Sequence, residues 1–421
     1  MANAAPDLRH TMIGGSVGNV LEWYDFAVYA YMAPVMAKLF FPSDDAFASL
    51  IATFGAFAAG YVFRPIGGIL FGHVGDKIGR RRMLVLSVLM MGLATTAIGL
   101  LPTDAQLGWG AAALLVTFRI VQGLSVGGEY GGALTFMAEH APPDRRGVYT
   151  SVLIAGTSVG FLFGAGAAAF ISQLFDQAAL QAWAWRVPFL FGGVLALVAL
   201  LSRRGLHEPP IPEGTAPLKG VPIVVTLRDH WREVLKVGGL YLAPNAGCYL
   251  VVVYVVSYLT DIVHMPLAEA MDINIAAIFV MATTPVAFAF LGERIGRKPM
   301  AIIGILGIIV CTYPLFLLLD HNAFWPVFLA QVGFALIFSW IFGVNPALQA
   351  ESAPRHVRAT VLTLGINSSM AIFGGTMPMA AAYLVHRTHD HNAPAYYLIA
   401  LAGLTLIAAL TTKDMTGKPL P

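Results

Sequence analysis

Twelve stretches of about 20 mostly apolar residues recur along this 421-residue chain, and a run of that length is what a helix needs to cross the hydrocarbon core of a membrane. They lie at 12–35, 48–72, 83–101, 108–138, 149–172, 185–202, 236–260, 271–291, 299–319, 325–349, 359–384 and 394–412. Within lipid every backbone N–H and C=O must find its partner inside the segment, so runs of this kind predict helices and an all-α membrane protein. Charge agrees: only 11% of residues are Asp, Glu, Lys or Arg, where soluble domains carry about a quarter. The net charge of +2 argues against a nucleic-acid binder. Both cysteines, Cys248 and Cys311, sit inside apolar runs, so no disulfide framework or CxxC metal pattern exists. The 43 glycines and 25 prolines lie largely within the runs, where glycine permits close helix approach and proline is tolerated. Residues 1–11 contain Asp7 and Arg9 and no cleavage site, so the first run reads as a retained span.

An even number of spans places both termini on one side. Of the 25 lysines and arginines, 20 fall in the loops and termini of that side, against two (Lys38 and Arg387) on the other. The positive-inside rule makes the basic side cytoplasmic. The longest polar stretch, 203–235, carries prolines at 209, 210, 212, 217 and 222 and reads as a linker plus a short amphipathic helix on that surface. It separates an N-terminal six-helix bundle, 1–202, from a C-terminal one, 236–421. The two halves echo each other. Gly75-Asp76-Lys77-Ile78-Gly79-Arg80-Arg81 returns as Gly292-Glu293-Arg294-Ile295-Gly296-Arg297-Lys298, and Glu139-His140-Ala141-Pro142 as Glu351-Ser352-Ala353-Pro354, at offsets of 217 and 212 residues. Matched loops at a near-constant offset indicate a duplicated six-helix unit, the arrangement that rocks about a central site in secondary transporters.

A charge placed within a span costs at least ~2.5–3.5 kcal/mol, so those present call for a function. They are Glu22 and Asp25 in span 1, Arg64 in span 2, and Arg119 and Glu129 in span 4. Counting depth along straight helices pairs Arg64 with Glu129, and Arg119 with Asp25 or Glu22. A carboxylate whose cationic partner withdraws can take up a proton, which makes Glu22, Asp25 and Glu129 proton-coupling candidates. Permanent structural ion pairs would use the same residues. Substrate-binding candidates near mid-depth are Tyr24, Tyr29, Arg64, Arg119, Gln122, Asn245, Tyr249 and Asn367; helix-packing hydrogen bonds explain any one of the polar ones as well. Gating candidates are the loop residues Asp76, Arg80, Arg81, Glu139, Arg146, Glu293, Arg297 and Glu351, able to pair across the basic face in one conformer alone. Trp183, Trp185 and Arg186 read as an interfacial belt. His386, His389 and His391 share one loop without a shell of acidic or cysteine ligands, so a solvated loop is favoured over a metal site. No nucleophile–base set, phosphate loop or cofactor motif appears, so neither an enzyme nor a cofactor is expected.

Several of these stretches resemble the major facilitator superfamily. Gly72-His73-Val74-Gly75-Asp76-Lys77-Ile78-Gly79-Arg80-Arg81-Arg82 looks like its 2–3 loop signature. Gly18 to Phe26, Arg64-Pro65-Ile66-Gly67-Gly68, Arg119 to Gly123, Gly127 to Gly132, Trp185 to Phe189 and Ala371 to Thr376 are similar to its metabolite:proton symporter branch. The resemblance implies a proton-coupled importer in a bacterial inner membrane, expected to act as a monomer on a small-molecule substrate. Members of that branch carry di- and tricarboxylates, shikimate, or zwitterions such as proline and betaine. Glu293 stands where the family's second loop has aspartate. The sequence runs to Pro421 without the coiled-coil tail of osmosensing betaine carriers, which weighs against an osmoprotectant. The inventory of two arginines and three carboxylates fits a carboxylate or a zwitterion. The expectation taken forward is symport of a small organic acid, with a zwitterion carrier or an uncoupled facilitator as the alternatives.

Overall fold

The computed structural model describes residues 8–78, 80–202 and 222–421, with side chains described for 19–71, 85–201 and 223–421. Among the described residues the chain is helical with no strand. The rods that correspond to the twelve runs are α1 (Leu8–Tyr31), α2 (Ala46–Val62 continuing as Arg64–Ile78), α3 (Arg80–Leu100), α4 (Trp109–Val126 and Glu129–His140), α5 (Arg146–Leu174) and α6 (Gln177–Ala184 and Arg186–Ser202). They continue as α7 (Trp231–Asp261), α8 (Leu267–Ile295), α9 (Arg297–Leu319), α10 (Phe324–Glu351), α11 (Arg358–Thr388) and α12 (Ala393–Thr411). Nine of these are, among the described residues, long and apolar enough to span a bilayer alone, and α6 becomes a tenth when its 44° bend is counted within one span.

Helices outrun the apolar windows, because a helix keeps its geometry past the membrane surface where charged residues are welcome. Thus the run at 149–172 is part of a helix from Arg146 to Leu174. Breaks fall at proline, which removes a backbone N–H, and at paired glycines, which hold helical geometry weakly. Pro34 follows the step at Met32, beyond which Ala33–Phe40 continues α1. Gly127 and Gly128 interrupt α4, and Thr284-Pro285 interrupts α8. α7 and α11 each contain a π-turn, at Leu250–Tyr254 and Met370–Gly374. Such turns leave carbonyls free for side chains of other helices. The amphipathic helix expected in the linker is present at Pro222–Asp229, with Val224 and Leu227 exposed; residues 203–221 of the linker lie outside the described residues.

Small residues decide how closely α2 and α4 approach. A Cβ on Gly123 would strike the carbonyl of Gly60, so only glycine fits this crossing. The first six helices contact one another through α1–α5, α3–α6 and α2–α4, and the last six through α7–α12, α7–α11 and α9–α10. The two sets meet along α5 with α8 and α10, and along α2 and α4 with α11. One sequence expectation is corrected here. Trp185 is fully buried and edge-on to Phe40, while Trp183 alone faces outward. Arg186 covers the Trp185 ring and donates to the carbonyls of Gly99 and Leu101 at 2.9 and 2.7 Å, so the pair closes a helix junction where a lipid-facing belt was expected.

Candidate transport site

A central cavity lies between the two helix sets. Its walls are aromatic, from Trp23 (α1), Phe161 (α5), Tyr241 and Tyr249 (α7) and Phe342 (α10), with Thr157, Ser158 and Asn245 as polar members. The remaining lining is aliphatic side chains, Met281 and Cys248, and no described lining residue carries a charge.

The charged residues stand behind this wall. Arg64 pairs with Glu22, and both are buried. Its guanidinium lies 5.1 Å from the Tyr61 ring centre and 5.6 Å from that of Trp23. Arg119 reaches Asp25 at 3.6 Å and donates to Gln122 Oε1 at 2.8 Å. Gln122 in turn donates to Asp25 Oδ2 at 2.5 Å and to Thr95 at 3.1 Å. Phe26 and Tyr29 each sit 4.5 Å from the Arg119 guanidinium carbon. Each carboxylate keeps a second oxygen, Glu22 Oε2 and Asp25 Oδ1, buried with no hydrogen-bond partner. Of the two partners the depth count left open for Arg119, Asp25 and Glu22, the structure takes Asp25, but the count gave Arg64 the wrong partner. The partner is Glu22; depth says nothing of which neighbouring helix a side chain faces. Glu129, half-buried at the second start of α4, lies within electrostatic reach of Glu22.

Of the residues singled out for substrate contact, Asn245 and Tyr249 line the cavity. The others have structural partners. Tyr24 donates to the Pro188 carbonyl at 2.7 Å and Tyr29 to that of Thr53 at 3.0 Å. Asn367 donates across the interface to Gly127 at 2.5 Å. Trp23, Phe161, Tyr241, Thr157 and Ser158 were missed. Trp23 stands inside a motif already noted, between Glu22 and Tyr24, and its bulk beside charged neighbours was the available signal. The α5 and α7 residues carried none, since aromatic and hydroxyl residues occur throughout such helices.

Both ends of the cavity are closed. At the basic end Glu351 accepts from Arg146 at 2.6 Å and also pairs with Arg297, which holds Glu293 at 2.5 Å. Glu293 Oε1 accepts from the Gly147 backbone at 2.6 Å, and Arg358 pairs with Glu139 at 2.7 Å. Four gating candidates, Arg146, Glu293, Arg297 and Glu351, therefore meet in one network across the two halves, and Glu139 forms a separate pair with Arg358 beside it; Asp76, Arg80 and Arg81 have side chains outside the described residues. The chain's last residues lie over this network. Arg358 donates to the Pro421 carbonyl at 2.7 Å, Arg146 to that of Lys418 at 3.3 Å, and the Arg297 backbone to Thr416 at 2.9 Å. One layer deeper, Gly131 abuts the Thr363 backbone so closely that a Cβ would sit 2.9 Å from Thr363 Cα. At the opposite end Tyr31 donates to Asn274 at 2.5 Å and to the Val252 carbonyl, in the α7 π-turn, at 2.9 Å. Phe47 stacks on His386 at 3.7 Å. His391 contacts Asp320 at 3.1 Å, and among the described residues no three His, Cys, Asp or Glu side chains are grouped to hold a metal ion.

A cavity at the interface of two six-helix sets, closed at both ends by contacts that neither set makes alone, defines a secondary transporter of a small molecule. The family model described as Major Facilitator Superfamily matches residues 15–364 and again 245–419, and the chain belongs to that family, in its metabolite:proton symporter branch. It is 34% identical to the proline/betaine transporter of Salmonella typhimurium over 98% of this chain and 85% of that protein. It is equally 34% identical to the shikimate transporter of Escherichia coli, over 96% of this chain and 94% of that protein. Its fold matches a solved D-xylose-proton symporter with a TM-score of 0.76 at 20% identity, covering 98% of this chain and all of that one.

Proposed function

We propose that this protein is a proton-coupled importer of a small zwitterion of the proline and betaine kind. The observation that carries the reading is the uncharged, mostly aromatic and aliphatic lining of the central cavity, with every described in-span ion pair set behind it. A molecule with no net charge enters such a site without leaving an unpaired charge in a low-dielectric interior, whereas a di- or tricarboxylate needs a cation at the wall. Arg64 and Arg119 are held by Glu22 and Asp25, so the organic-acid expectation loses the arginines it relied on. The names of the proline/betaine relatives agree with the zwitterion. The shikimate transporter among the relatives keeps a monocarboxylate as the second reading.

Coupling falls to Asp25 and Glu22, with Glu129 as the neighbour that senses Glu22. Each of the first two carboxylates has a buried unpartnered oxygen where a proton can reside once its arginine moves away. The halves 1–202 and 236–421, joined by 203–235, are the rocking units, each chain working as a monomer. The basic end is cytoplasmic, and the network of Arg146, Glu293, Arg297 and Glu351, with the Glu139–Arg358 pair beside it, is the inner gate; Asp76, Arg80 and Arg81 are its sequence-indicated extension. The test is uptake into proteoliposomes under an imposed pH gradient. Labelled proline and glycine betaine are expected to accumulate, and the accumulation collapses with a protonophore. Accumulation of shikimate but of neither zwitterion overturns the substrate reading, and uptake indifferent to the gradient overturns the coupling.

A further inference from the structure

We propose that Asn367 is a positioning residue through which the Glu22–Arg64 pair governs closure of the basic end. The proposal rests on the coupling reading above and adds how a proton taken up in one half is felt by the other. Helix α4 stops at Val126 and restarts at Glu129, and the carbonyls at the end of a helix have no partner within it. The Gly127 carbonyl falls in that break. It accepts from Asn367 Nδ2 of α11 at 2.5 Å, so donor and acceptor belong to different halves. Asn367 is 2% exposed, and bulk water does not compete for the bond. Chemistry fixes which way the amide points: turned over, its oxygen would face a second oxygen.

The same glycine is pressed against the backbone of the proton site. A Cβ on Gly127 would sit 2.0 Å from the Arg64 carbonyl oxygen and 2.3 Å from the Gly68 nitrogen, so the α4 break and the second segment of α2 shift together. Arg64 is the first residue of that segment, and Glu22 holds its side chain. One turn before Asn367, Thr363 packs on the same two helices. A Cβ on Gly68 would lie 2.9 Å from Thr363 Cγ2, and one on Gly131 would lie 2.9 Å from Thr363 Cα. α11 is therefore seated flush on α2 and α4, with the Asn367 hydrogen bond inside the seat. Tyr61 on α2 and Glu129 and Tyr130 on α4 lie within electrostatic reach of Glu22, and Arg64 is the cation among these neighbours. A proton on Glu22 Oε2, the oxygen without a hydrogen-bond partner, removes the charge that anchors Arg64. The rings of Trp23, Phe26 and Tyr61, centred 5.1 to 5.6 Å from the guanidinium, hold it less firmly. As Arg64 shifts, the Gly127 carbonyl against it draws away from Asn367 and the seat of α11 loosens.

The test is a double-mutant cycle on the full-length protein in lipid nanodiscs. Spin labels at the exposed positions Asp144 and Arg355, in a cysteine-free background, read the population open at the basic end. Asn367→Leu keeps bulk and removes the donor, and is expected to raise that population by about fivefold or more. Asn367→Ala, which adds no bulk, repeats the shift and guards against a leucine variant that does not fold. Glu22→Gln, which mimics the protonated carboxyl, opens the same end. The double variant Glu22→Gln, Asn367→Leu is expected to be no more open than the more open single one, because both changes release the same bond. A packing defect at position 367 acts independently of Glu22, so the two effects would multiply; that result overturns the proposal. Asn367→Leu and Asn367→Ala variants as closed as the wild type overturn it as well. Gradient-driven uptake in proteoliposomes separates it from the reading beneath it. Should Glu22→Gln leave the distances unchanged while wild-type uptake still follows the pH gradient, the link from Glu22 to Asn367 falls and the coupling reading stands on Asp25. Wild-type uptake indifferent to the gradient removes both.

Discussion

Replacing Glu351 by glutamine tests whether the ion network at the basic end sets the balance between closed and open states. Glu351 is 4% exposed and holds two arginines that are themselves buried, Arg146 and Arg297. Glutamine keeps the shape and one acceptor oxygen but removes the charge. Arg297 retains Glu293 at 2.5 Å and the Pro143 carbonyl at 2.9 Å, so the loss falls mainly on Arg146, which is left with a carbonyl 3.3 Å away. Stranding one buried charge by removing its partner costs about 3–5 kcal/mol, and the remaining contacts favour the low end. Opening the basic end hydrates Arg146 and relieves that cost. About 3 kcal/mol corresponds to a shift of roughly 150-fold toward the state open at the basic end. Spin labels at the exposed positions Asp144 and Arg355, in a cysteine-free background, report the distance between halves by double electron–electron resonance. The long-distance population is expected to rise in Glu351→Gln and to fall back in the double variant Arg146→Gln, Glu351→Gln, where no stranded charge remains. An unchanged distance distribution, or a double variant as open as the single one, would refute the reasoning.

Asp25→Asn is expected to abolish accumulation driven by a pH gradient while substrate exchange at equal pH persists, read in the same proteoliposomes. Gly131→Leu should hold the basic end apart, because any Cβ there meets the Thr363 backbone; uptake falls by more than about tenfold and the Asp144–Arg355 distance lengthens. Removing residues 413–421 strips Arg358 and Arg146 of the Pro421 and Lys418 carbonyls. Hydrogen bonds to charged groups contribute about 1.5–3 kcal/mol, so the truncated chain should open in the same direction as Glu351→Gln, by about tenfold or more.

Parts of the site were legible in advance and parts were not, for reasons that differ by residue. The in-span charges were conspicuous because a bilayer makes each one expensive, and depth narrowed the partner of Arg119 to Asp25 or Glu22, between which the structure chooses Asp25. Arg64 was assigned to Glu129 because depth is a single coordinate and says nothing of which neighbouring helix a side chain faces; the structure pairs it with Glu22. Gln122, Asn367 and Tyr24 looked like binding groups, being polar at mid-depth, yet each is spent on a neighbouring helix. Composition cannot distinguish a polar group that waits for a ligand from one that holds two helices together.

The sequence by itself determined twelve membrane-spanning helices, the duplicated six-helix plan, the basic face and the residues that carry charge within the bilayer. Those follow from rules that act along the chain, namely the length of an apolar run, the cost of a buried charge and the bias of loop arginines. Tertiary structure alone decided which partner each charge takes, which rings wall the cavity and how its ends are shut. Those contacts join residues as far apart as Tyr31 and Asn274, or Glu139 and Arg358. They depend on the tilt and rotation of whole helices, which packing sets and no local pattern encodes.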